Sequence, residues 1–158
     1  MSHARGAAAP RRVLSALQLL PALALLLPLA PAEKPALAVA APDSPVRLDR
    51  AVVVTVADAP PVVLYAATNA TDGAPEQFTV IAFVFDAAGT LRARQTAPGR
   101  RTLDPHATKY STLVLDGSAI APSDVIVVGV NAAQRAGSDE WWRADLQAAA
   151  AAAARPKK

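Results

Sequence analysis

The sequence predicts an all-β protein, a sandwich of about seven to eight short strands, and three observations carry that expectation. Between residues 46 and 144, apolar and polar residues alternate with a period of two in short segments. Turn-forming clusters such as Asn69-Ala70-Thr71-Asp72-Gly73 and Asp86-Ala87-Ala88-Gly89 separate those segments, at the spacing of roughly ten residues typical of sandwiches. Two segments, 78–85 and 125–130, are apolar on both faces, as central strands are.

Taken in order, Val46-Arg47-Leu48-Asp49-Arg50 alternates and 51–56 is a β-branched run, so the pair reads as two strands or one long bent strand. Asp58-Ala59-Pro60-Pro61 breaks it, and 62–68 is the next strand. Phe78 to Phe85 is the strongest strand, with Phe78, Val80, Ala82 and Val84 on one face and Thr79, Ile81, Phe83 and Phe85 on the other. Asp86 opens a turn that Gly89 closes, and 90–96 returns as a hairpin partner with Arg92 and Arg94 on a solvated face. A short edge is expected at 100–103 and a turn at Asp104-Pro105-His106. Strands follow at 109–115, 125–130 and 140–144.

The ends read differently. Arg5, Arg11 and Arg12 precede an uncharged Leu/Ala-rich stretch, 13–30, and small residues follow at export-peptidase spacing: Ala30-Pro31-Ala32, Ala36-Leu37-Ala38 and Ala38-Val39-Ala40. Residues 1–40 are therefore expected to be a helical, cleavable signal peptide, and 41–45 a flexible lead-in to the 46–144 domain. An uncleaved membrane anchor is the alternative; Pro21 and Pro28 within the stretch oppose it. At the other end, 145–158 is an Ala-rich tail: Asp145 can cap a helix, but seven consecutive alanines offer no amphipathic contrast, so a short frayed helix is expected.

Removing the leader changes how the charge reads. The full chain carries +3 with a basic pI, whereas from Ala41 onward there are twelve basic and twelve acidic residues. The basicity belongs to the leader and the tail, so nothing points to nucleic acid, nor to a membrane once the leader is gone. There is no cysteine, hence no lipid attachment site and no disulfide. The Ala, Arg and Pro usage fits a GC-rich bacterial genome, and export then means the periplasm or the medium.

Several motifs in order carry a resemblance. They are Asn69-Ala70-Thr71, Phe83-Val84-Phe85-Asp86-Ala87-Ala88-Gly89, Leu103-Asp104-Pro105-His106-Ala107-Thr108, and Asp124 to Val130. Together, over about half of the mature chain, they resemble the immunoglobulin-like FxLYD-type domains of exported bacterial proteins. At 82–86, Ala82, Val84 and Phe85 stand where that family's name has phenylalanine, leucine and tyrosine, and His106 stands where its turn carries glycine. The resemblance implies an immunoglobulin-like β-sandwich and brings no catalytic residue with it.

Chemistry is sparse. Past the leader, His106 is the only histidine, and no methionine or cysteine accompanies it, too few ligands for a transition-metal site. No D-x-D-x-D run, phosphate loop or G-x-S-x-G elbow occurs. No catalytic, cofactor-binding or metal-binding residue is therefore assigned. The enzymatic alternative is a small secreted hydrolase with a minimal site at His106, Asp104 and Ser111. The feature with a functional flavour is Trp141-Trp142-Arg143: in a strand the two rings face opposite ways, and the outer one beside Arg143 is a candidate partner-binding anchor, unless it only covers the sandwich edge. The expectation is a non-catalytic accessory module without cofactor, its ligand unassigned and an envelope protein its candidate partner.

Overall fold

The computed structural model describes residues 31–99, 102–116 and 120–155, and in them two β-sheets face each other across a hydrophobic core. The apolar stretch 13–30, Arg100, Arg101, most of the Asp116-Gly117-Ser118 turn and residues 156–158 lie outside the described residues. Numbered in chain order, β1 (Ala32–Pro35), β3 (Val46–Thr55), β4 (Val62–Asn69) and β7 (Thr108–Val114) form one sheet in the order β1-β3-β4-β7, antiparallel throughout. The other sheet contains β2 (Leu37–Ala38), β8 (Val125–Arg135), β5 (Pro75–Phe85) and β6 (Leu91–Pro98) in the order β2-β8-β5-β6. β9 (Trp141–Arg143) pairs with the far end of β8, and β2 runs parallel to β8. The connections β4–β5, β6–β7 and β7–β8 each cross from one sheet to the other.

The period of two builds the core. Val46, Leu48, Ala51, Val53, Val63, Tyr65 and Leu113 of the first sheet pack against Phe78, Val80, Ala82, Val84, Ile126, Val128 and Val130 of the second. β3 is the single bent strand: its register shifts between Leu48 and Arg50, a bulge that turns the strand without ending it. Asp86 accepts from the Ala88 and Thr90 amides, and Gly89 takes φ 81°, so the β5–β6 hairpin closes as its sequence predicts. Burial raises the Tyr65 hydroxyl above the usual phenol range, against a smaller opposing pull from Ser111.

The second apolar face of β5 has its own cover. Helix α1 (Gln147–Ala154) lies on Ile81, Phe83, Phe85 and Val127, with Leu146, Ala150 and Ala154 buried at the contact. This corrects the expectation of a frayed tail. A poly-alanine helix has no polar face to avoid burying, and its small side chains let the helix axis come close to the sheet. Asp145 accepts from the Gln147 amide, but it lies one residue ahead of the N-cap, which is Leu146 and carries no side-chain cap hydrogen bond. Gly129 makes the approach possible: a Cβ there would stand 2.5 Å from Leu146 Cδ1 and 2.7 Å from the Val39 carbonyl oxygen.

Residues 33–38, which no periodicity marks as strand, are part of the fold, whereas 41–45 belong to no strand, as a lead-in would not. β1 pairs residue for residue with 52–55 of β3, and β2 then switches to the opposite sheet. Ala36 between them joins the core, its amide donating to the Ala51 carbonyl. The Lys34 ammonium donates to the Pro122 carbonyl at 2.7 Å and to that of Asp124. Pro31 and Pro35 hide this strand from periodicity, yet both tolerate an edge position. Thr102 and Leu103, expected in a short edge strand, are irregular backbone. Arg92 lies on the exposed face of its strand, as expected, and from there donates to the buried Asp124 carboxylate at 2.8 Å, which also accepts from the Ala121 amide.

Candidate functional site

One end of the sandwich is built from loops that lock each other in place. The β4 strand delivers Asn69 there with its side chain fully buried. Its amide nitrogen donates to the carbonyls of Gly73, Leu103 and Asp104 at 2.9, 3.1 and 3.2 Å, and its oxygen accepts from the Thr71 amide and hydroxyl. One polar side chain thus satisfies two loops that are 34 residues apart in sequence. The same geometry disposes of Asn69-Ala70-Thr71 as a glycosylation acceptor in the folded domain, because the nitrogen that would carry the sugar is enclosed. The Ala70 amide donates to Pro45, that of Ala136 to Ala74, and Gly137 at φ 73° closes the β8–β9 turn.

These loops frame a cleft of about 830 Å³. The Asp43–Pro45 turn, the 71–75 loop and the 133–142 hairpin line it. Trp141 and Trp142 both line it. They face opposite ways in β9, as alternation requires: Trp142 packs on the main core, paired with Ala133, while Trp141 lies on the other side. The Arg143 guanidinium sits over the Trp141 ring, 5.4 Å from its centroid, a cation–π contact that holds the ring in place. Both tryptophans are half-buried and Arg143 is exposed. Asp43, Asp72 and Glu140 contribute carboxylates to the lining, and Arg135 one cation. Among the described residues no three His, Cys, Asp or Glu side chains group closely enough to hold a metal ion.

His106 lies at the same end. It adopts φ 58° in the Asp104-Pro105-His106 turn, and its side chain is 66% exposed. Its partner is Asp72, with Nε2 at 2.9 Å from the carboxylate oxygen. Asp104 instead faces Lys109 at 4.0 Å, and Ser111 stands opposite the buried Tyr65 in the β4–β7 ladder. The three residues that sequence proximity brings together, His106, Asp104 and Ser111, therefore do not converge into a proton-relay geometry.

Trp141, Trp142 and Arg143 stand out in the sequence as a group; in the structure the two tryptophans line the cleft, while Arg143 is outside its lining and reaches it only through its contact with the Trp141 ring. The part of Asp43 and Asp72 in the lining is not legible, because they reach the cleft through β3 and β4 pairing across the fold. Asp72 as the partner of His106 is invisible for the same reason, lying 34 residues away. Comparison with protein-family models, with curated proteins and with solved structures finds no match to this chain.

Proposed function

We propose that this chain is an exported, immunoglobulin-like accessory module that binds another component of the bacterial envelope through the Trp141–Trp142 cleft, without catalysis or cofactor. The observation that carries the reading is the cleft itself: two half-buried tryptophans on a hairpin braced by the part-buried hydrogen bond from Gln134 to the Ser138 carbonyl. Rigid aromatic side chains in a partly desolvated hollow lose little entropy on binding and supply large contact areas, which is why they dominate binding surfaces. The carboxylates of Asp43, Asp72 and Glu140 favour a partner with cationic or hydroxyl donors. The repeated crossing of strand connections between two antiparallel-dominated sheets supports the immunoglobulin-like part of the reading. The basic, apolar and small-residue order of the leader supports export.

The test is site-specific photocrosslinking in the producing cell, with the full chain. A photoreactive amino acid replaces Trp141 or Glu140 in the cleft, and Asp58 or Ala88 in turns at the opposite end of the sandwich. Discrete adducts from positions 140 and 141, and none from 58 and 88, are expected. Equal labelling from both ends, or no adduct from the cleft, would contradict the proposal.

A further inference from the structure

We infer that the leader is removed between Ala32 and Glu33, leaving Glu33 as the first residue of the working protein. The inference rests on the export reading above and selects one of three possible cuts. Small residues occupy the −3 and −1 positions at Ala30/Ala32, Ala36/Ala38 and Ala38/Ala40, so spacing alone does not separate them. The fold does.

A cut after Ala38 or Ala40 removes β1 and β2 completely. With them go the four residue pairs along β3, the two pairs along β8, the core residue Ala36, and both Lys34 hydrogen bonds to the 122–124 turn. The later cut also removes Val39, whose amide donates to the Val128 carbonyl at 2.8 Å. Backbone groups of β3 and β8 would be left as bare sheet edges, the exposure that promotes pairing with foreign strands. A cut after Ala32 removes one outer rung, Ala32 with Thr55, and its side-chain bond of 3.3 Å. Everything from Glu33 inward is retained.

Chemically the step is peptide hydrolysis by the cell's export peptidase. The Ala32 C–N Glu33 bond breaks, water supplies hydroxyl to the Ala32 carbonyl carbon and a proton to the Glu33 nitrogen, and Ala32 leaves as a carboxylate. The peptidase meets an unfolded, translocating chain, so the fold does not steer the cut; it sets which cut leaves a chain able to complete both sheets.

Intact mass and N-terminal sequencing of the exported protein decide the matter, and both read denatured material, so folding does not bias them. A start at Glu33 is expected. A start at Val39 or Ala41 overturns the inference and leaves export standing, whereas a start at Met1 overturns the cleavable-leader reading itself. The variant carrying Ala38→Arg and Ala40→Arg, both at exposed positions, spoils the two later sites. It should be processed at the same residue and to the same extent as the parent, and accumulation of its precursor would overturn the inference.

Discussion

The two sheets of this sandwich present outer faces of similar sequence character and opposite fate. On the β8–β5–β6 sheet, Ile81, Phe83, Phe85 and Val127 are buried beneath Leu146 and the alanine helix, with Val39 at the margin. On the β3–β4–β7 sheet, Leu64, Tyr110 and Val114 stand in solvent at 40%, 69% and 40% exposure. The difference is continuity. The covered patch is contiguous aromatic and aliphatic surface, with Thr79, Arg94 and Thr96 beside it, while the bare face is interleaved with Arg50, Thr68, Thr108 and Thr112 and carries the Arg47–Asp49 pair. Alternation in a strand announces an inward face; only an outward face that also carries a contiguous apolar patch announces a third layer.

If that comparison is right, substitutions under the helix should be costly and those on the bare face nearly silent. Leu146→Ala should have the largest effect, a loss of about 2–5 kcal/mol in urea unfolding, because it opens a cavity beneath the start of the helix. Gly129→Ala should follow at about 1–3 kcal/mol, since its new methyl meets a backbone oxygen that cannot rotate away. A Gly129→Ala protein as stable as the parent would show that Val39 and Leu146 do not share that space.

The bare face predicts smaller numbers. Asp49 is held below the usual carboxylate range, first by the Thr68 hydroxyl and then by Arg47. Because the folded state depresses this acid, its stabilisation is present above the ordinary value near 3.8 and is lost as pH falls through the folded value. The pair is largely solvated, so Asp49→Asn should cost at most about 1 kcal/mol at neutral pH, and the difference from the parent should vanish in acid-denaturation profiles at the low end. Val114→Thr should be the quietest, within about 0.5 kcal/mol by thermal unfolding. A large loss there would mean that the exposed face is covered after all.

The same contrast explains what could be read in advance. β5 and β8 were legible because Phe78–Phe85 and 125–130 carry both the period and the double-sided apolarity of interior strands. The helix over them was legible as a helix and not as a cover: in a run of alanines no position differs from its neighbours, so the docking face is specified by Gly129 and Phe83, residues of the sheet. β1 was illegible because a four-residue strand flanked by prolines has no period of its own; β3 imposes its conformation. In the cleft, Trp141 and Trp142 stood out by type, while Asp43 and Asp72 reach them only through the folded topology. Arg92 and Asp124, 32 residues apart, are the same case.

The central claim is that the segment 33–39 and the helix 147–154 both belong to the fold, laid side by side on β8 around Gly129. Native-state hydrogen exchange tests it most directly, at two amides. The Val39 amide donates to Val128 and the Ala150 amide to Leu146, each at 2.8 Å. The account predicts that both exchange only through global unfolding, with the same protection as the amides of β5. Exchange of Ala150 at the rate of an isolated alanine peptide, or of Val39 at that of an open chain, would contradict it.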